Sequence, residues 1–189
     1  MGVRKESPAL VKRVDARVER TRKALMRAFV ALFFERPYGR ISVNAVASRA
    51  GVGRSTFYEH YVDKEDILAA TVRAPMAGLA AAASGGNVEA MRQSLAHFRA
   101  NAAQGRALFL GDARRPLARV LAAMVREELG SEDRDVKVVA IAIAEAQIGA
   151  IGAWLFGEMD QTVEELASIL HRITRAAVAT SRGERGAHK

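Results

Sequence analysis

The sequence predicts an all-α protein in which a three-helix head of the helix-turn-helix type precedes a larger helical body. Apolar residues recur at helical spacing in most segments between turn signals, and no stretch alternates apolar and polar residues as a strand does. Residues 41–68 predict two short helices, a turn that contains glycine, and the start of a third helix. The chain is therefore expected to consist of helices throughout.

The first predicted helix covers Asp15–Glu35, where Leu25, Phe29 and Leu32 lie on one face, and the sequence Pro-Tyr-Gly that follows ends it. Residues 1–14 hold four lysines and arginines and lack apolar periodicity, which indicates a flexible basic arm. Such an arm can track the DNA backbone or enter the minor groove, or it can be a disordered tail.

The next two predicted helices form the motif. The second begins after the capping residue Ser42, has apolar residues at i, i+3, i+4 and i+7 from Val43, and ends at Gly51, which tolerates a left-handed backbone. The third covers residues 53–60, with Phe57 facing inward and polar side chains facing outward. Asp63 caps the helix that follows. Since the second helix of a helix-turn-helix lies in the major groove, residues 53–60 are the candidate DNA reader.

These residues resemble the tetracycline-repressor-like (TetR) family of bacterial regulators. The matching positions are Ser42, Val46-Ala47, Ala50-Gly51-Val52, Thr56-Phe57-Tyr58, His60-Tyr61, Lys64-Glu65 and Leu68. The resemblance covers Arg17–Leu68 and implies a helix-turn-helix DNA-binding domain at 15–62. It also implies a helical ligand-binding and dimerisation domain at 63–182, which leaves a disordered tail at 183–189.

In the body, Pro75 is expected to kink or end the helix that begins at Asp63, because proline removes a backbone donor. Further helices are predicted over 88–103, 116–129, 133–156 and 162–180, with a short piece at 107–110. The last two have the clearest apolar stripes, and the resemblance implies that they form a homodimer as a four-helix bundle.

The net charge is concentrated at one end. Residues 1–62 hold 13 Lys/Arg and 5 Asp/Glu, a net +8, whereas residues 63–189 hold 16 of each. A basic head on a neutral body is expected when one end meets phosphate, although a solvated basic tail gives the same balance. The absence of cysteine, of a signal peptide and of a long apolar run predicts a cytoplasmic protein without a membrane segment.

The predicted DNA contacts are Ser42, Asn44, Arg54, Ser55, Thr56, Tyr58, His60 and Lys64. Arg54 suits bidentate reading of guanine, or a phosphate contact without sequence preference. The resemblance implies phosphate contacts for Tyr58, Lys64 and Ser42. His60 either contacts DNA or packs beside Tyr61, and Glu59 either accepts from a cytosine amino group or lies outside the interface.

Other chemistry has little support in the sequence. Gly51-Val-Gly-Arg-Ser-Thr lacks the Gly-Lys-Ser/Thr signature of a phosphate loop, and the histidines show no metal-binding spacing. No catalytic motif is present, so we predict a non-enzyme without metal or cofactor.

The resemblance further implies a repressor that a small molecule releases from a double-stranded DNA operator. Candidate residues for the ligand cavity are Met91, Phe98, Phe109, Met124 and Trp154, which at helical spacing also suit an ordinary core. Two alternatives stay open: a constitutive or architectural DNA-binding protein without a ligand, and a helical enzyme or scaffold.

Overall fold

The computed structural model describes residues 8–186, with side chains from 16 to 181. Within this range it has α-helices, one short 3-10 turn at Tyr38–Arg40 and no strand, which confirms the all-α prediction. The helices are α1 (Pro8–Glu35), α2 (Val43–Arg49), α3 (Arg54–His60), α4 (Lys64–Ala81), α5 (Val88–Ala100), α6 (Ala102–Leu110), α7 (Arg114–Leu129), α8 (Arg134–Phe156) and α9 (Val163–Gly186).

The two terminal helices are longer than predicted. Helix α1 begins at Pro8, so residues 8–14 of the expected flexible arm are helical, because proline is favoured in the first position of a helix. Helix α9 continues to Gly186, since no proline follows Thr180 to stop it, and residues 183–186 of the expected tail are helical. Residues 1–7 of the arm and 187–189 of the tail lie outside the described range.

The chain divides into two compact units. Unit 1 comprises residues up to Arg36 and Arg40–Leu68, and unit 2 comprises Pro37–Gly39 and the residues from Ala69 onward. The division falls after Leu68, inside α4, and not at residue 62, where the sequence placed the domain boundary. Ile67 and Leu68 are buried, which keeps the first turns of α4 with unit 1.

Unit 1 is built around a small apolar core. Leu25 and Phe29 of α1, Val46 of α2 and Phe57 of α3 are each 1% exposed or less. An ion pair between Glu35 and the guanidinium of Arg49 joins the end of α1 to the end of α2. Its geometry lowers the pKa of Glu35, because the hydrogen bond from Arg49 favours the carboxylate.

Unit 2 is organised around α8, which packs against α6, α7 and α9. The buried amide of Gln147 donates to the Leu79 carbonyl at 3.2 Å and to the Thr174 hydroxyl at 2.8 Å, so it links three helices. Helix α9 begins with a reciprocal cap in which Thr162 N–H donates to Glu165 and Glu165 N–H donates to the Thr162 hydroxyl.

Helix α4 does not end at Pro75 but continues to Ala81. Beyond the proline, Gly78 lies so close to α5 that a Cβ there would stand 1.9 Å from the Ala90 carbonyl oxygen. The absence of a side chain at Gly78 permits this close approach of the two helices.

Among the described helices, α8 is long and apolar enough to cross a membrane by length and composition, with a mean hydropathy of 1.8. Half of that apolar window is buried against the rest of the protein, as in the core helix of a globular domain. Helix α8 therefore gives only weak support for a membrane segment.

Candidate nucleic-acid interface

The turn between α2 and α3 has the geometry that its sequence predicts. The Ser42 hydroxyl accepts from Ala45 N–H at 3.2 Å and caps α2. Gly51 adopts φ +70°, and Val52 N–H closes the turn on the Ala47 carbonyl at 3.0 Å. Only glycine takes this left-handed backbone without strain, so Gly51 fixes the path from α2 into α3.

Helix α3 has one buried side and one exposed side. Phe57 is 0% exposed, and Tyr61, immediately after the helix, is 3% exposed, with their ring centroids 5.7 Å apart. Both rings therefore belong to the core of unit 1, in agreement with the inward position predicted for Phe57. On the other side Arg54, Ser55 and Tyr58 are exposed, so three of the predicted contacts share a surface.

The exposed side contains a pair of side chains that contact each other. The Arg54 guanidinium donates to the Tyr58 hydroxyl at 3.2 Å and lies 5.5 Å from the centroid of its ring. The hydroxyl accepts this bond through a lone pair, so its own proton stays available for a phosphate oxygen. The i, i+4 spacing of Arg54 and Tyr58 on one helix is the signal in the sequence for this contact.

Ser42 and Asn44 supply polar groups at the start of α2, and both are exposed. Because the Ser42 oxygen accepts from Ala45, its O–H proton is free to donate to a second acceptor. One hydroxyl can thus cap the helix and donate to phosphate at the same time.

Lys64 lies in the first turn of α4, directly after the capping residue. Asp63 accepts hydrogen bonds from Glu65 N–H at 2.7 Å and from Asp66 N–H at 2.9 Å. These bonds satisfy two backbone donors at that helix end. The half-buried Lys64 gains nothing from the positive helix end itself.

Three further residues of α3 have less defined surroundings. Thr56 and His60 are half-buried, and His60 ends the helix, where a positive charge is favoured. Glu59 is exposed beside Tyr58. Its place on the exposed side of α3 leaves both interpretations of Glu59 open.

One contact inside unit 1 had no signal in the sequence. The Arg22 guanidinium of α1 lies 5.7 Å from the centroid of the Tyr61 ring, close enough for a cation–π interaction. The interactions of Arg22 with the Tyr61 hydroxyl contribute most to raising its pKa. The nearby carboxylates of Glu19 and Asp66 raise this pKa further. Arg22 thus holds α1 against Tyr61, the residue that directly follows the candidate reader helix.

The five residues predicted to line a ligand cavity are all buried in unit 2. Phe98 and Phe109 meet edge to face with centroids 4.9 Å apart, and Trp154 Nε1 donates to the Gln161 carbonyl at 2.7 Å. Met91 and Met124 are also buried. Their role in ligand binding stays a prediction. Among the described residues, no three His, Cys, Asp or Glu side chains are grouped to hold a metal ion.

Residues 25–71 match the family described as bacterial regulatory proteins, tetR family. Over 58 residues the chain is 40% identical to the uncharacterised HTH-type transcriptional regulator YxbF of Bacillus subtilis strain 168; the match covers 30% of this chain but only 15% of that relative. Across 88% of this chain and 99% of the other, the fold matches the crystal structure of a TetR transcriptional regulator from Streptococcus agalactiae 2603V, with 26% identity and a TM-score of 0.54.

Proposed function

We propose that the chain is a regulator of the TetR family, which the match of residues 25–71 and the similarity of the fold support. On that basis it binds a palindromic DNA operator as a homodimer and represses transcription until a small molecule releases it. The family consists of regulators and not enzymes, in agreement with the lack of a catalytic motif in the sequence. We place the protein in the cytoplasm, where its DNA and its effector are both accessible.

The exposed surface of α3 carries the proposal. It presents a guanidinium, small hydroxyls and a phenol on a helix whose other side is anchored by Phe57. The segment around it supplies the whole net charge of +8, which favours binding to the phosphate backbone. We assign Arg54 to reading a base, with Ser55 and Thr56 beside it.

Phosphate contacts would come from around the reader helix. We assign these to Ser42, Tyr58 and Lys64, because each presents a donor and two of them retain a free proton after their internal hydrogen bonds. Asn44 and His60 complete the proposed contact set. Such contacts fix the register of α3 on the duplex, and Arg54 then reads the sequence.

The proposed homodimer uses the exposed faces of α8 and α9. Val138 of α8 and Ile173 of α9 are 65% and 50% exposed. A second copy would remove this apolar surface from water. A dimer also suits a palindromic operator, whose half-sites lie about 34–36 Å apart.

We test the dimer with Ile173→Glu, which places a carboxylate in the proposed interface. Val88→Glu is the matched control, because Val88 of α5 is 40% exposed and lies outside α8 and α9. Sedimentation equilibrium should show a dimer for the parent chain and the control and a monomer for Ile173→Glu. A dimer that survives Ile173→Glu unchanged would require another interface.

DNA binding is tested by selecting fragments of genomic DNA on the purified full chain, followed by titrations at two salt concentrations. We expect a shared palindromic sequence and an affinity that falls with salt, because phosphate contacts release counterions. If selected fragments bind no tighter than random fragments, the protein does not recognise DNA sequence, and the proposal fails.

A further inference from the structure

A surface groove runs between α7 and α8, entirely within unit 2. Its volume is about 350 Å³, which lies in the range of small-molecule sites. Six residues of α7 line one wall and four residues of α8 line the other. They are Arg115, Ala118, Arg119, Ala122, Ala123, Arg126, Lys137, Ala140, Ile141 and Glu145.

The floor of the groove is apolar and built from small side chains. Ala118 and Ala140 are buried at its base, and Ile141 lies at its side with 46% of its surface exposed. The alanines of α7 recur at helical spacing, so they form one face along that helix. The described lining includes no aromatic side chain, so the floor suits an aliphatic body better than a stacked base or ring.

The rim of the groove is positively charged. Arg115, Arg119, Arg126 and Lys137 line the groove together with the alanines, and Arg126 also lies 3.8 Å from the exposed carboxylate of Glu132. The lining carboxylate of Glu145 accepts a hydrogen bond from Arg114 at 2.9 Å, so its negative charge is already compensated. Residues 63–189 carry no net charge as a whole, so the excess of cations around the groove is local.

We propose that the α7–α8 groove binds an anionic amphipathic small molecule, a carboxylate with an aliphatic body. The body would cover the alanines and Ile141, and the carboxylate would meet the cationic rim. The lining of the groove does not include Phe98 or Phe109, which are buried elsewhere in unit 2. Its role as the effector site rests on the proposed function, whereas binding to the groove does not.

The probe is decanoate, titrated calorimetrically into the full chain below its micelle concentration. We expect saturable binding of decanoate and none of nonyltrimethylammonium, which has the same nine-carbon alkyl chain and the opposite charge. Absence of saturable decanoate binding, or equal binding of the two molecules, would overturn the proposal.

Two substitutions at one position separate charge from packing. Ile141→Glu and Ile141→Lys remove the same apolar side chain, but only the first adds a negative charge beside the groove. We expect the affinity for decanoate to be roughly tenfold weaker in Ile141→Glu than in Ile141→Lys, because the added carboxylate repels that of decanoate near the protein surface. Equal effects of the two substitutions would place the carboxylate elsewhere.

A second pair of variants leaves the floor intact. Replacing both Arg115 and Lys137 by glutamine should weaken the binding of decanoate several-fold, because both cations lie on the rim of the groove. Arg172→Gln is the control, since Arg172 is an exposed cation of α9 outside the groove. An equal loss in the control would attribute binding to net charge alone and overturn the site.

Operator binding is measured on the same preparations with and without decanoate. Release of DNA by decanoate in the parent chain, reduced in the variant with Arg115 and Lys137 both replaced by glutamine, supports the effector role. Decanoate that binds the groove and leaves DNA affinity unchanged would overturn that role alone. Failure of every preparation to bind operator would overturn the proposed function and leave the groove result intact.

Discussion

The Arg54 guanidinium donates to the hydroxyl of Tyr58, one helical turn further along α3, at 3.2 Å. The bond restrains a flexible side chain on the exposed surface of the candidate reader helix, where guanine reading requires a fixed fork of donors. The remaining N–H groups of Arg54 stay available for a base. Tyr58 is therefore a positioning residue for Arg54 as well as a phosphate donor in the proposed interface.

Arg54→Ala and Tyr58→Phe should have different effects on DNA binding. Arg54→Ala should relax preference at particular operator bases, at a cost of roughly 1–3 kcal/mol for the correct base. Tyr58→Phe keeps the ring and removes the hydroxyl, so it should weaken all sites about equally, with a smaller loss of discrimination at the base that Arg54 reads. Fluorescence anisotropy on the operator and its single-base variants measures both. A larger loss of base discrimination for Tyr58→Phe than for Arg54→Ala would reverse our assignment.

Ser42 can be divided into its two proposed roles by substitution. Ser42→Ala removes the cap of α2 and should lower the free energy of unfolding by about 1 kcal/mol. Ser42→Asp retains a capping oxygen but places a carboxylate where we propose phosphate. It should keep the stability measured in urea and lose more DNA affinity than Ser42→Ala. If Ser42→Asp binds operator as tightly as the parent chain, phosphate does not approach this residue.

Gly51→Ala should destabilise the helix-turn-helix through the backbone alone. No atom lies within 4 Å of a Cβ added at Gly51, but its φ of +70° is unfavourable for alanine. We expect a loss of roughly 1–2 kcal/mol in unfolding free energy, measured by far-UV circular dichroism in urea. Gly53→Ala is the control, because Gly53 has φ −73° and an added Cβ would make an ordinary contact with the Ser55 hydroxyl. Equal stability of both variants would contradict the strain argument.

Gly78→Ala should be more damaging, because an added Cβ would overlap the Ala90 carbonyl of α5 and force the two helices apart. Overpacking of this kind costs about 1–3 kcal/mol. Gly149→Ala on α8 is the matched control, since its nearest atom is an Arg114 nitrogen at 4.0 Å. Alanine there should be neutral or stabilising, because it favours the helix. Thermal unfolding distinguishes the two, and a neutral Gly78→Ala would show that α4 and α5 are less closely packed.

The acid titration of Glu89 provides a test at the start of α5. Hydrogen bonds from Arg92 and then Gln93 favour the carboxylate and lower the pKa of Glu89 from 4.5 to about 2. Because folding lowers this pKa, the ionised carboxylate stabilises the folded protein at pH values above 4.5. This stabilisation is lost as the pH falls from 4.5 towards 2. The Glu89 side-chain carbonyl should titrate near pH 2 by NMR, and Arg92→Gln should raise that midpoint towards 4.5. An unshifted midpoint in the parent chain would mean that the ion pair is not formed in solution.

Much of the reader unit is determined locally, which explains why the sequence was informative there. Ser42 and Asp63 cap the helices that follow them, and Gly51 takes the left-handed turn, because caps and turns depend on a few adjacent residues. Helix ends without such signals were less predictable. Pro8 extends α1, and α4 continues past Pro75, because packing and neighbouring residues offset a local preference.

Periodicity, caps and composition are enough to predict the all-α fold, the helix-turn-helix and the concentration of positive charge at one end. Contacts between side chains of different helices come from the packing of those helices. Packing buries Gln147 among three helices and places the cations of α7 opposite Lys137 across an alanine floor. These contacts depend on how helices pack in three dimensions, and a single sequence does not specify which faces of distant helices come together.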